Sequence, residues 1–345
     1  MIIDRRYVDQ GLITERCHPE DPDLLIYNYT NKTNFDRLWD DTTRITRGLI
    51  VRNGRILAMP FRKFYNINEM KETMEANLPA DIPEITVKID GAMGCLYLHP
   101  DGKLAISTRG VFDSLEALWA TEYLRKNYDL PLDIVEKYTV MFEICSPAFR
   151  HIIYHPHKLY LTGIRENVVG NLLPYSDVIR KAIEYRLDVL PNFMVGNILK
   201  DLPSDAKDIE GWVAMYPKNQ LLVKIKTDSY RKLHRLYQSI TFNNILKLIK
   251  EGEYEKILEK LPKDLKEEAI RIGDYIQRRK EEIWSMLHSL IKQLPEGDRK
   301  TRALWIKKNV IPELQSCMFM WASYGDSGIV DNIVFKIIKK ERSKE

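Results

Sequence analysis

Up to about residue 235 the chain alternates short apolar and polar runs broken by turn signals. Gly48-Leu49-Ile50-Val51 leads into Arg52-Asn53-Gly54, and Leu96-Tyr97-Leu98 into Pro100-Asp101-Gly102. Asn-Gly and Asp-Gly between apolar runs predict hairpins, because both residue types tolerate positive φ. One helix interrupts this region, capped by Asp113 or Ser114, with Leu115, Leu118, Trp119 and Tyr123 on one face. After residue 235 the spacing becomes helical. Ile276, Ile283, Met286, Leu287, Leu290, Ile291 and Leu294 form one stripe, which Pro295-Glu296-Gly297 ends. The pattern predicts an α+β protein: antiparallel sheets with flanking helices over residues 1–235, then an all-helical domain over 236–345. Lys339 to Glu345 reads as a frayed, charged tail.

Composition sharpens this picture. The 345 residues are 44% hydrophobic and 30% charged, which suits about two packed domains and excludes a disordered or fibrous chain. No run approaches the ~18 consecutive apolar residues of a membrane span. The first residues, Met-Ile-Ile-Asp-Arg-Arg, are charged where a signal peptide is apolar, so export is not expected. Cys17, Cys95, Cys145 and Cys317 are far apart, which fits free thiols in a reducing cytoplasm. Net charge is +4, with 21 basic and 17 acidic residues in 236–345 and 32 of each before, so the excess lies in the helical part. That permits a polyanionic partner without demanding one.

Four segments carry candidate chemistry. In Thr86-Val87-Lys88-Ile89-Asp90-Gly91, a strand enters a glycine turn, with Lys88 on the face of Thr86 and Asp90. Such a lysine can offer its amine to a ligand; the hexapeptide alone reads as a solvated edge-strand lysine. In Val140-Met141-Phe142-Glu143-Ile144, Glu143 stands inside an apolar strand, costly unless paired, cation-bound or partly exposed. Glu210-Gly211-Trp212-Val213-Ala214 precedes Leu222-Val223-Lys224-Ile225-Lys226, where two ammonium groups leave the strand on one side. They repel unless an anion lies between them, and a phosphate or plain solvation answers that. Arg44-Ile45-Thr46-Arg47-Gly48 and Phe61-Arg62-Lys63-Phe64-Tyr65-Asn66 interleave cations with aromatics, which suits phosphates and stacked bases as well as an ordinary surface.

Taken in order, Lys-x-Asp-Gly, a strand glutamate, Glu-Gly and Lys-x-Lys resemble the signature of the covalent nucleotidyltransferases: DNA ligases, RNA ligases and capping enzymes. Within that superfamily the chain resembles the RNA ligase 1 family of T-even bacteriophages. Tyr27-Asn28-Tyr29, Arg47-Gly48, Lys63-Phe64-Tyr65-Asn66, Ile164-Arg165-Glu166-Asn167 and Lys224-Ile225-Lys226-Thr227-Asp228-Ser229-Tyr230 join the strings above in carrying the match. The tail resembles that family's helical domain through Gly297-Asp298-Arg299-Lys300-Thr301 and Tyr324-Gly325-Asp326. The resemblance implies an ATP-dependent RNA ligase. Its Lys88 amine takes AMP from ATP, AMP passes to a 5′-phosphate RNA end, and a 3′-hydroxyl end then seals to it.

The same resemblance implies that Glu143 and Glu210 place Mg²⁺ (or Mn²⁺) and that Lys224 and Lys226 bind the α-phosphate. Arg47 and Lys63 would contact ATP, Tyr27 and Tyr65 would lie near it, and Gly91 would allow close backbone approach. Arg109 stands where the family often has lysine. Ile89 and Trp212 replace an acidic residue and a tyrosine. Neighbouring cations (the metal, Lys224, Lys226) are expected to depress the Lys88 pKa from near ~10.4 and free its amine. Asp90 is expected to shape the turn. His151, His155 and His157 could form a metal site, with surface or phosphate-facing histidines the favoured reading. The helical domain is expected to choose the RNA, by analogy broken transfer RNA, in the cytoplasm, or the host's if phage-encoded. The alternatives are another covalent nucleotidyltransferase (DNA ligase or GTP-using capping enzyme) and an inactive RNA-end binder.

Overall fold

The computed structural model describes residues 3–149, 152–153, 155–190, 193–195, 202–259, 261, 263–325 and 327–342. The chain divides into two compact units, Met1–Lys232 and Leu233–Glu345.

The first unit is built on three sheets. β1 (Ile13–His18), β2 (Asp21–Tyr29), β3 (Arg47–Arg52) and β4 (Arg55–Ala58) form an antiparallel meander. The Asn53-Gly54 turn between β3 and β4 has both residues at positive φ (50° and 74°), the conformation that the sequence predicts for a tight hairpin. The short β5 (Tyr65–Asn66) and β6 (Glu84–Lys88) belong to the site sheet. β7 (Ala92–Leu98), β8 (Leu104–Ser107), β9 (Tyr138–Cys145) and β10 (Lys158–Glu166) make a second sheet in the order β10-β9-β7-β8. β11 (Phe193–Val195), β12 (Gly211–Tyr216) and β13 (Leu221–Lys226) complete the third, in the order β11-β6-β12-β13-β5. Among the strand pairs of the described residues, β13–β5 is the parallel one.

The main core lies between the last two sheets. Val87 and Ile89, Val140, Phe142 and Ile144, and Trp212 and Ala214 all join it. On β6 and β9 the core residues alternate with Lys88 and Glu143, so period two delivers one face to the core and the other to the site; Glu210 stands just before β12. Ile89 and Trp212, the two departures from the family pattern, are both buried there and act through packing.

The helix Leu115–Asn127 is capped by Ser114, whose Oγ accepts from Ala117 N–H. Its buried face is Ala117, Ala120 and Leu124, not the leucine face expected; Leu115 and Leu118 are 72% and 56% exposed. The helix lies against β8, and Thr121 Oγ1 accepts from Ile106 N–H; Ala117, Ala120 and Leu124 face the core, Trp119 and Tyr123 pack partly against it, and Leu115 and Leu118 turn outward. Glu84 caps a second helix, Tyr175–Tyr185, accepting from Tyr175 N–H and from Ser176 Oγ at 2.9 Å. That helix has no capping side chain of its own at Pro174.

The second unit contains helices Phe242–Glu251, Tyr254–Leu258, Lys263–Gln293, Arg299–Asn309, Pro312–Tyr324 and Ser327–Arg342. Ile276, Ile283 and Leu287 are fully buried in its core, as the stripe predicts, with Leu290, Ile291 and Leu294 packed at its edge. Met286 is 39% exposed. Asp326 of the family-like tail string and residues 343–345 of the charged tail lie outside the described residues.

Candidate active site

Strand register assembles the site. Gly211, the first residue of β12, stands opposite Lys88 at the end of β6 and opposite Lys226 at the end of β13. Glu210, one residue earlier, is thereby held between the two lysines. Its backbone N–H donates to Lys88 carbonyl at 2.9 Å, and Thr227 N–H donates to its carbonyl at 3.1 Å. The carboxylate then pairs with both: Lys88 Nζ is 2.7 Å from Oε2 and Lys226 Nζ 2.9 Å from Oε1. Gly211 makes this possible. Its φ is +155°, and a Cβ would lie 2.0 Å from the Ile225 carbonyl oxygen, so a side chain would force β12 and β13 apart.

Glu143 projects from β9 opposite Met93 of β7. Met93 Sδ accepts from Arg47 Nη1 at 2.7 Å, which carries Arg47 from β3 to the same place. Lys224, two residues before Lys226, has no carboxylate partner among the described residues; its Nζ lies over the Phe64 ring, 4.4 Å from the centroid. Arg47, Lys88, Glu143, Glu210 and Lys224 line one end of a cavity of about 230 Å³. Its other walls are mostly apolar, supplied by Phe61, Phe64, Leu172, Val213, Met215 and Leu222, with Glu84, Thr86 and Thr162 also on the lining. The cavity thus combines cations and acids with a largely hydrophobic wall.

The electrostatics reverse one expectation. Burial pushes the Lys88 pKa down, but Glu143 and Glu210 outweigh it, and the net direction is upward. Lys88 is held as an ammonium by its carboxylates rather than freed by neighbouring cations. Lys224 is the depressed lysine of the cavity lining: burial lowers its pKa well below 10.5, reinforced by Arg47, Lys88 and Lys63. Burial raises the Glu143 pKa, with Glu210 and Asp90 adding to it against Lys88 and Arg47. Glu210 goes the other way: burial favours its acid form, but Lys88 and Lys226 outweigh that and lower its pKa.

A lysine whose folded pKa is lowered penalises the folded state at neutral pH, and the penalty vanishes as pH rises towards 10.5. Lys224→Met therefore melts higher than the parent at pH 7, and the gap closes by about pH 10. A lower melting temperature at pH 7 contradicts this account of its burial.

The other sequence-predicted residues scatter. Tyr27 is not at the cavity. It is buried with Ile13, Leu49 and Val51, and its hydroxyl donates to Glu15 at 2.7 Å. Tyr65 is buried on β5 and does not line the cavity, nor does Lys63, whose Nζ donates to Asn34 Oδ1 at 3.1 Å and lies 4.8 Å from the Trp39 ring. Gly91 does not line the cavity but lines the adjoining groove, and it allows close approach of β9: a Cβ there would lie 2.6 Å from the Ile144 carbonyl oxygen. Arg109 lies in an adjoining groove, where Nη1 donates to the Tyr29 hydroxyl at 3.1 Å. Asp90 shapes the chain as expected, accepting from Ile152 and Ile153 N–H and from the Tyr230 hydroxyl at 3.1 Å. Tyr230 ties the segment after Lys-x-Lys to the turn that follows Lys88.

His151 lies outside the described residues. His157 bonds Ser146 Oγ at 3.0 Å and packs on Trp119, while burial lowers the His155 pKa. Among the described residues no group of three or more His, Cys, Asp or Glu is placed to hold a metal. Glu143 and Glu210 fit a magnesium-like ion, which takes one or two carboxylates and keeps its waters. The raised pKa of Glu143 beside Glu210 is what a cation there would relieve.

A family model described as RNA ligase matches residues 45–230, the span holding every element of this site. The chain belongs to that RNA ligase family. A protein named putative RNA ligase from Thermovibrio ammonificans is 31% identical over 197 residues, 53% of this chain and 50% of that one. The chain thus spans about half the length of the curated relative it matches. Among solved structures, two forms of an archaeal ATP-dependent RNA ligase share the RNA ligase fold. One has TM-score 0.51 at 14% identity over 80% of this chain and 78% of that one, the other 0.51 at 13% over 89% and 85%. Among the described residues no helix is long and apolar enough to cross a membrane.

Proposed function

We propose that this RNA ligase family member is an ATP-dependent enzyme that seals 5′-phosphate to 3′-hydroxyl RNA ends through a lysyl-AMP intermediate. The observation that carries the reading is Lys88, ion-paired to Glu210 beside Lys224 at the charged end of an apolar-walled cavity. The hydrophobic wall of Phe64, Met215 and Leu222 suits a purine, and Lys224, Lys226 and Arg47 suit the phosphates. Lys88 Nζ attacks the α-phosphorus, a P–N bond forms, the bond to the β-phosphate oxygen breaks, and pyrophosphate leaves. Lys88 must first give up a proton that Glu210 and Glu143 hold in place. Magnesium or manganese held by Glu143 and Glu210 would supply positive charge that offsets part of the charge on the carboxylates and phosphates, which would lower the Lys88 pKa. Lys224, uncharged more readily than an ordinary lysine, gains a full charge against the incoming phosphate.

The helical unit supplies RNA contacts. The helix Arg299–Asn309 carries Arg299, Lys300, Arg302, Lys307 and Lys308 and no acid, and none of these cations forms an ion pair among the described residues. Such a helix suits a phosphate backbone, and broken transfer RNA is the substrate the family resemblance favours. The free thiols of Cys17, Cys95, Cys145 and Cys317 suit work in the cytoplasm.

The test is incubation with α-labelled ATP and magnesium, then with 5′-phosphorylated RNA. A labelled band that survives denaturing electrophoresis and is chased into RNA is expected. Labelling from GTP instead, or sealing of nicked DNA but not RNA, would point to another nucleotidyltransferase. RNA binding with no adduct would mark an inactive end-binder. Lys307→Glu with Lys308→Glu is expected to weaken RNA binding several-fold and flatten its salt dependence.

A further inference from the structure

A second groove, of about 640 Å³, adjoins the nucleotide cavity and shares Arg47 and Met93 with it. Sheet register builds its floor. Thr14 of β1 pairs with Asn28 of β2, and Asn28 with Arg47 of β3. Arg16, two residues along β1 from Thr14, shares its face. Arg109 reaches the groove from the loop after β8, and its guanidinium lies 5.1 Å from the Tyr29 ring. Three arginines therefore line one groove, and among the described residues none of them is salt-bridged to a carboxylate. Glu116 is the acid that lines it, and it offsets one of the three charges. The far wall, Gly91 to Met93, begins three residues after Lys88.

Size and charge select the occupant. The groove is larger than the cavity that suits a nucleotide, and its lining is mostly polar: Thr14, Asn28, Thr30, Asn31, Thr108 and Ser114 stand among the arginines. Unpaired guanidinium groups match phosphate oxygens as two-pronged donors. The proposed reaction needs a second phosphate beside the first. An oxygen of an RNA 5′-phosphate must attack the phosphorus of lysyl-AMP, forming a P–O–P bond as the P–N bond to Lys88 breaks and its electron pair returns to the amine, which takes up a proton. Two anions approach one another in that step, and fixed cations between them reduce the repulsion.

We infer that this groove seats the 5′-phosphate end of the RNA strand, with Arg16 and Arg109 on its phosphates and Arg47 between that end and the adenylate. The inference rests on the reading that Lys88 is adenylylated. It also explains why a family lysine can be arginine at 109: a planar fork serves a strand phosphate at least as well as a point charge.

The test uses full-length protein and Arg16→Ala, a position remote from the nucleotide cavity's lining. Two rates are measured: loading of AMP from ATP, and single-turnover transfer of AMP from pre-loaded enzyme to a 5′-phosphorylated, 3′-blocked oligoribonucleotide. The ratio of transfer to loading is expected to fall about tenfold, the loss of one charge-assisted contact. Arg16→Lys should recover part of it. Preference for 5′-phosphorylated over 5′-hydroxyl RNA, read by direct binding, should shrink in parallel. An equal fall in both rates would give the groove to the departing pyrophosphate and overturn the proposal, as would no fall in either. If the parent enzyme fails to load AMP, the ligase reading fails by itself. The binding comparison then still decides the groove: an Arg16→Ala preference equal to the parent's overturns it.

Discussion

Lys88→Ala abolishes the covalent label from α-labelled ATP while the protein melts as a folded chain. The expected loss is complete on a gel, on the order of 10³-fold or more, because no other amine occupies that place. Lys226 is tied to the other oxygen of Glu210, and Lys224 stands over Phe64 on the neighbouring strand. Lys88→Arg fails equally, since a guanidinium cannot surrender its proton. Because Glu143 and Glu210 hold Lys88 protonated, loading by the parent enzyme climbs with pH across the neutral range at limiting magnesium. Saturating magnesium shifts that climb to lower pH, through the carboxylates it occupies. A pH-independent rate at limiting magnesium would contradict the raised Lys88 pKa, and a labelled Lys88→Ala protein would remove this lysine from the chemistry.

Glu210→Ala has the largest expected effect on the fold. It strips one carboxylate from two lysines at once, leaving Lys88 and Lys226 side chains only 21% and 26% exposed. Removing one partner of a buried pair costs about 3–5 kcal/mol; the partial exposure here brings the expectation to about 2–3 kcal/mol. The pH dependence has a definite sign. Glu210 has a lowered folded pKa, so its contribution is present above its ordinary 4.5 and disappears as pH falls through the folded value. Lys88 has a raised folded pKa, so its share is present below its ordinary 10.5 and disappears as pH rises through the folded value. Urea melts of parent and variant should therefore differ most between about pH 5 and pH 10 and converge in acid. Glu210→Gln, which keeps the shape and one acceptor oxygen but turns an amide NH2 towards the other ammonium, should fall between them in stability and still fail to load AMP. Parent and alanine melts that coincide at pH 7 would mean the two ion pairs contribute nothing.

How much of this was written in the sequence depends on the range of the interaction. Asn53-Gly54 forms its hairpin and Ser114 its cap because both are local choices of backbone and hydrogen bond. The leucine face of the helix Leu115–Asn127 misled because hydrophobic spacing does not say which neighbour the helix meets; β8 accepts Ala117 and Ala120, so Leu118 stays outside. Tyr27 and Tyr29 are two positions apart, yet the first donates to Glu15 and the second meets Arg109. Nothing in Tyr-Asn-Tyr distinguishes them until β1 and the loop after β8 are in place.

The sequence by itself determined which residues share a strand face, because alternation follows from the pleat at every position. Lys88 faces away from Val87 and Ile89, Glu143 away from Phe142, and Lys224 sides with Lys226, wherever those strands end up. It also determined the order of the acidic and basic strings, and through them the family. Only the tertiary structure decided the charge state of each group. Lys88 meets a carboxylate that arrives more than a hundred residues later, Lys224 forms no ion pair among the described residues, and Gly91 is demanded by a strand that begins at Tyr138. A pKa is set by burial and by charges a few ångströms away in space, and those distances exist only after remote strands have paired.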